Sequence, residues 1–361
     1  MNKKALIWGV GNSAVDLLKK KCLYSDYEII AFVDNNRLLW GGEKSFKGLP
    51  ILSPFELKTI EYDLIIIASI YKDEIYNQLL DMGVTPEKIT DVESLEERIK
   101  AKIIDKYRYS DDEEIKKVVD YYKKNKLNIF GTYFPSTQEY EVFWDEDYPY
   151  VMLDGKKMYY PRAFFERKTS ERVFVPDVLY EQYEQSPHLY IKKNHCVKRG
   201  DVIVDAGVCE GNFALRYIDE IKKVYLVECS SIWREPLEKT FHPYKDKVVF
   251  CWKELSRSSS SKTIALDDLV QEKIDFLKMD IEGAEVDAVL GAKKLLKSSN
   301  AKCSICCYHR RDDEENLKFI LESLGYSTST SEGRMFFSYD PMIGESLDLR
   351  HGIVYAEKNI W

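Results

Sequence analysis

The stretch Val202-Ile203-Val204-Asp205-Ala206-Gly207-Val208-Cys209-Glu210-Gly211-Asn212-Phe213 decides the fold. An apolar, β-branched run leads into an acidic residue and a glycine loop, and the loop opens onto residues that read as a helix. That order predicts the strand, turn and helix of an open α/β unit. The spacing is D-x-G-x-x-x-G. A dinucleotide pyrophosphate requires a glycine two residues after the first, so that the backbone can approach the phosphates. Here that position is Cys209, and the second glycine is Gly211.

Working outward, Val224 to Val227 reads as a second strand that ends in Glu228, 21 residues after Gly207. A carboxylate at that place can accept hydrogen bonds from both ribose hydroxyls of an adenosine. A turn without the close phosphate approach, flanked by Asp205 and Glu228, suits S-adenosylmethionine, which offers donors on its amino acid and ribose portions and carries a sulfonium. Ile274-Asp275-Phe276-Leu277-Lys278-Met279-Asp280-Ile281-Glu282-Gly283-Ala284-Glu285 then delivers carboxylates to the carboxyl end of a strand. Open α/β sheets place their ligands at that edge. Glu285 reads as a stabilising acid at the start of the next helix. The strand Ala301 to Tyr308 ends in His309, which would stand beside Asp280 if the two strands are neighbours and could take a proton from an attacking hydroxyl. Strands are expected near 202–206, 224–229, 247–252, 274–280 and 301–308.

A second α/β unit occupies the first 100 residues or so. Residues 5–10 enter Gly9-Val10-Gly11-Asn12-Ser13-Ala14, a helical stretch follows, and Tyr27 to Val33 ends in Asp34, 23 residues after Gly11. Gly9, Gly11, Asn12 and Asp34 are the candidate nucleotide-binding residues there. Tyr62 to Ser69 reads as a buried strand and Asp73 to Met82 as an amphipathic helix. Residues 101–180 read as a connector, helical at first and then aromatic and irregular, and 181–361 as the second α/β domain.

The chain has 361 residues, with 53 basic against 61 acidic side chains and a net charge of −8, so no sequence-wide positive field exists to hold nucleic acid or an anionic membrane. The longest strongly apolar stretch, Leu64 to Ile70, is far short of the roughly 20 residues of a membrane span. The apolar run after Met1 stops at Gly11-Asn12 without a cleavage pattern and reads as a strand, not a secretion signal. The eight cysteines are scattered, as in a reduced cytoplasmic protein. Strand alternation would point Cys306 and Cys307 to opposite faces, which argues against a zinc site built from Cys303, Cys306 and Cys307.

Val204-Asp205-Ala206-Gly207, the block from Lys278 to Glu285 and Cys307-Tyr308-His309 resemble the FkbM family of S-adenosylmethionine methyltransferases. Ser186-Pro187-His188, Thr240-Phe241 with Pro243-Tyr244, and Thr263 to Leu269 agree with the same family. The resemblance runs from about Glu181 to the end of the sequence. It implies a class I methyltransferase fold, a Rossmann-like, mostly parallel seven-stranded sheet, and O-methylation of sugars or related hydroxylated metabolites. It places Asp205, Gly207 and Glu228 at the cofactor and Asp280 at the edge facing the methyl group, while Cys209 and Glu210 stand where many relatives carry small or other polar residues; Ala206, Glu210, Gly211 and Asp280 complete the expected cofactor site. The amino-terminal unit resembles the Rossmann-like domain of PglD-type sugar acyltransferases through Ile7-Trp8-Gly9-Val10-Gly11, Phe32-Val33-Asp34 and Lys47-Gly48-Leu49-Pro50-Ile51, which implies sugar-nucleotide binding.

The expected function is therefore O-methylation of a sugar or sugar-nucleotide hydroxyl in polysaccharide or glycoconjugate biosynthesis, with Asp280 and His309 at the reacting centre. Two alternatives are an inactive sugar-nucleotide-binding scaffold and an NAD(P)-dependent sugar oxidoreductase built on Gly9, Gly11 and Asp34. No resident metal is assigned; a divalent cation bridging Asp280 and Glu282 stands as a further alternative.

Overall fold

The computed structural model describes residues 3–41, 44–133, 140–164 and 181–358. The chain divides into two compact units, one of residues 1–129 with 336–349, the other of residues 130–335 with 350–361. The helical part of the expected connector thus belongs to the first unit and its aromatic part to the second. The stretches 134–139 and 165–180 of that connector lie outside the described residues.

The first unit is built on six strands: β1 (Lys3–Trp8), β2 (Tyr27–Val33), β3 (Ser45–Phe46), β4 (Leu49–Leu52), β5 (Leu64–Ile67) and β6 (Ile89–Asp91). They lie in the order β3-β4-β2-β1-β5-β6, and all pairings are parallel except that of β3 with β4. Leu64-Ile65-Ile66-Ile67 is buried along its whole length, as a strand covered on both faces must be. Alternation splits β1 between two cores: Ala5 and Ile7 join one, Leu6 and Trp8 the other. The helices Val92–Lys106 and Glu113–Tyr122 continue this unit. The first core is completed by a late stretch of chain, since Phe336, Ile343 and Leu349 are buried in it.

In the second unit, β7 (Phe143–Asp145), β8 (Tyr148–Leu153) and β9 (Lys156–Tyr159) form an antiparallel sheet where the sequence was read as irregular. Leu153 pairs with Lys156 across the two-residue turn Asp154-Gly155, and both turn residues have positive φ, the geometry that suits the twist of a hairpin. The backbone NH of Tyr159 donates to Thr240 Oγ1 at 2.9 Å, which seats the hairpin on the helix Arg234–Phe241.

The main sheet contains β10 (Val202–Ala206), β11 (Lys223–Val227) and β12 (Val248–Cys251). After a separate short pair, β13 (Glu254–Leu255) and β14 (Thr263–Ile264), come β15 (Phe276–Met279), β16 (Lys302–Cys306), β17 (Tyr326–Thr330) and β18 (Ile353–Lys358). The order is β12-β11-β10-β15-β16-β18-β17, and β18 alone runs against its neighbours. The five strands expected from the sequence are present, shorter by a residue or more at several ends. The order reverses between β10 and β15, so the crevice at their carboxyl ends is the switch point where such sheets bind ligands. This is the mixed α/β, Rossmann-like, mostly parallel seven-stranded sheet expected from the sequence. Among the described residues, no helix is long and apolar enough to cross a membrane.

Candidate active site at the switch point

Gly207 follows β10 at φ +74, and a Cβ there would lie 1.6 Å from the carbonyl oxygen of Asp280. Only glycine lets the ends of β10 and β15 come this close. Gly211, at φ +85, is packed against the Phe241 ring and leads into the helix Asn212–Tyr217. Two non-glycine residues of the same crevice, Cys209 and Glu282, also have positive φ, a strain that clusters at functional sites.

Glu228 binds the two loops together. One carboxylate oxygen accepts from the NH of Cys209 at 3.0 Å, the other from the NH of Ser230 at 2.7 Å. Each oxygen keeps a further lone pair for a hydroxyl donor. Asp205 is placed differently. It is fully buried in β10, with its carboxylate 3.2 Å from Lys278 Nζ, and burial raises its pKa against the pull of Lys278. Lys278 also donates to the carbonyls of Ala206 and Gly207. Asp205 therefore supports the glycine turn from beneath, through Lys278. Glu210 is buried as well, and burial pushes its carboxyl up to about 8; among the described residues its Oε2 has no hydrogen-bond partner.

Asp280, at the end of β15, is the hub of the crevice. Its Oδ2 accepts from Tyr190 at 2.7 Å and faces His188 Nε2 at 3.4 Å. Its Oδ1 accepts from Tyr308 at 3.4 Å and faces His309 Nε2 at 3.5 Å. Burial alone would raise Asp280, yet the hydrogen bond and charge of His188, with His309 and Lys278 behind, hold it well below the usual carboxylate range. The converse holds for His188: burial opposes its charge, but Asp280 and Glu181 lift it to about 9.

The parallel pairing of β15 with β16 brings His309 beside Asp280, as the sequence required. His309 Nδ1 lies 3.0 Å from Glu285 Oε1, which also accepts from the NH of Ile281 at 2.9 Å. Burial disfavours the imidazolium, but Glu285, Asp280 and Glu282 outweigh it and raise the His309 pKa. Glu285 thus reaches beyond the helix start assigned to it from sequence. The Glu282 side chain is 85% exposed and 3.6 Å from His309.

Sequence reading gave no role to Lys278, Tyr190 or Cys306 and quoted His188 only within a family agreement. Lys278 had a signal: a lone cation inside Phe276-Leu277-Lys278-Met279 must find a buried counter-charge. His188 and Tyr190 lie far from the sheet in sequence, and only the fold lays their segment against β16, where Ser304 donates to the Tyr190 carbonyl at 2.7 Å.

In the first unit, Gly9 has φ +116 and a Cβ there would meet the Ala68 carbonyl at 2.6 Å. Gly11 caps the helix Asn12–Lys19 without a side-chain hydrogen bond. The Asp34 carboxylate accepts from the NH of Asn36 at 2.8 Å. These four residues lie together after β1 and β2, which are paired in the sheet.

Residues 219–332 match the methyltransferase FkbM domain family, and residues 1–90 match the C2185-like amino-terminal family. No curated protein matches the chain. Among solved structures, the methyltransferase FkbM from Methylobacillus flagellatus KT is 16% identical with a TM-score of 0.46, over 98% of this chain and 90% of that one. A methyltransferase from Streptococcus mutans, solved with S-adenosylhomocysteine, is 13% identical with a TM-score of 0.34, over 47% of this chain and 99% of that one. The magnesium protoporphyrin IX methyltransferase of Synechocystis PCC 6803, solved with S-adenosylmethionine, is 15% identical with a TM-score of 0.31, over 45% of this chain and 71% of that one. The match to the methyltransferase FkbM domain spans β11 to β17, starting just after the glycine turn that follows β10, and the chain is an S-adenosylmethionine-dependent methyltransferase.

Proposed function

We propose that the chain methylates a hydroxyl of a sugar or sugar nucleotide, in the making of a polysaccharide or glycoconjugate. The observation that carries this reading is the meeting of Asp280 and His309 at the carboxyl ends of β15 and β16, beside the turn closed by Gly207. In this reading Glu228 takes the ribose hydroxyls, Ala206, Gly207 and Gly211 shape the cradle through their backbone, and Asp205 holds that cradle through Lys278. Glu210 supplies a buried carboxyl oxygen for a donor on the cofactor. S-adenosylmethionine supplies a methyl group made electrophilic by its sulfonium. Once the cofactor is bound, its methyl group would be transferred to the acceptor oxygen, with the thioether as leaving group, and neutral His309 would take the hydroxyl proton. Asp280 keeps its charge throughout and fixes the direction of the neighbouring rings. Alignment and exclusion of water supply much of the rate. The amino-terminal unit, with Gly9, Gly11, Asn12 and Asp34, is assigned the nucleotide end of such an acceptor.

The experiment is transfer of labelled methyl to a panel of sugar nucleotides, with calorimetry of cofactor binding alongside. His309→Ala should keep cofactor affinity and lower kcat by about 10²- to 10⁴-fold. Because the His309 pKa is raised, kcat of the unsubstituted chain should climb as pH rises through neutrality, and that slope should vanish in the variant. Equal loss of binding and turnover would remove His309 from the reaction. No transfer to any sugar nucleotide in the panel would overturn the acceptor class.

A further inference from the structure

The face of β16 opposite the main core presents Cys306 toward His188. Cys303, Ile305 and Cys307 point into that core, and Cys306, fully buried, has its Sγ 3.3 Å from His188 Nε2. The same nitrogen is 3.4 Å from Asp280 Oδ2. The three ligand atoms lie within 4.8 Å of one another. Tetrahedral bonds of about 2.0 Å to nitrogen and oxygen and about 2.3 Å to sulfur would set the ligand atoms roughly 3.3–3.5 Å apart. The two separations that involve His188 match that spacing without movement.

The surroundings have the form that metal sites take. A ligating histidine turns its other ring nitrogen to a carboxylate, and a ligating carboxylate is itself hydrogen-bonded. His188 Nδ1 lies 3.3 Å from Glu181 Oε2, and Asp280 Oδ2 accepts from Tyr190 at 2.7 Å. Of the three donors Asp280 is the one that reaches solvent, at 19% exposure, so the fourth side of a tetrahedron faces the crevice. Three protein ligands with one open side is the plan of a catalytic site, not of a closed structural one.

We propose that His188, Cys306 and Asp280 bind a transition-metal ion of the zinc class, with the open position turned to the acceptor. Nitrogen and thiolate donors select this class over magnesium or calcium. Glu282 belongs to neither group of three converging ligand atoms among the described residues. The role given to the ion rests on the methyl-transfer reading above: it would hold the acceptor oxygen beside Asp280 and His309.

The test is a Co²⁺ titration of the metal-stripped, full-length chain followed by visible absorption. One Co²⁺ per chain is expected, with intense tetrahedral bands and a thiolate-to-cobalt charge-transfer band. Cys306→Ser should lose the charge-transfer band, with calorimetry of S-adenosylhomocysteine certifying that its fold is intact. Glu181→Gln, which supplies no ligand atom, should weaken Co²⁺ by about 10- to 100-fold. Pale octahedral bands, or a charge-transfer band that survives in Cys306→Ser, would overturn the site. If Cys306→Ser does not fold, Glu181→Gln decides, and unchanged Co²⁺ affinity in it overturns the site. Absent S-adenosylhomocysteine binding with a normal cobalt spectrum would instead remove the methyl-transfer reading and leave the metal site standing.

Discussion

Lys278 and Asp205 form a buried pair, with side-chain exposures of 5% and 1%. Losing one partner of such a pair costs about 3–5 kcal/mol, because the other charge is left in a medium that cannot solvate it. Lys278→Met is therefore expected to unfold at markedly lower urea, and Asp205→Asn added to it should restore much of the loss. Additive effects of the two substitutions would show that the pair does not act as a unit. The carbonyls of Ala206 and Gly207 also lose their donor in Lys278→Met, so the double variant should regain stability without regaining full cofactor affinity.

At the level of elements, the approach of β10 to β15 leaves no room for a side chain. Gly207→Ala would drive a Cβ into the Asp280 carbonyl, a backbone atom that cannot swing aside, whereas Gly211→Ala meets the Phe241 ring at 2.8 Å. The left-handed backbone alone costs an L-residue about 1–2 kcal/mol at either position. Gly207→Ala should lower Tm further than Gly211→Ala, and equal melting shifts would contradict the close approach. This turn was legible in the sequence because a glycine loop after an apolar strand has few other readings, and the pairing of β15 with β16 followed from two apolar runs ending in Asp280 and His309. The hairpin of β8 and β9 was missed although Leu153-Asp154-Gly155-Lys156 carries its turn signal, because the aromatic residues around it obscure the alternation. His188, Tyr190 and Cys306 were beyond reach for another reason: their meeting depends on how a loop covers β16, which no local pattern encodes.

At the scale of the whole molecule, the first unit is assembled from two separate pieces of chain. Phe336 and Ile343 are fully buried there and Leu349 nearly so. Cys22 Sγ donates to the Ser338 carbonyl at 3.5 Å, Tyr339 donates to Asp16 at 3.1 Å, and Lys106 pairs with Asp348 at 2.9 Å. Burying each large apolar side chain is worth about 1.5–3 kcal/mol, against a total stability of about 5–15 kcal/mol for a domain. Residues 1–129 expressed alone should thus lack a sharp unfolding transition and bind a hydrophobic dye, and joining 336–349 through a flexible linker should restore cooperative melting. A fully cooperative transition in 1–129 by itself would refute the dependence.

That divided core also sets an order of events during synthesis. The ribosome finishes residue 129 long before it reaches 349, and at about 5–20 residues per second the gap is roughly 10–40 s. Through that interval the earliest-made portion waits unsealed while the catalytic half emerges, a window in which a holding chaperone would find its binding surface. Codon choice or a pause between these positions would lengthen the exposure, so the yield of native enzyme becomes sensitive to translation speed in a stretch that encodes none of the first 129 residues.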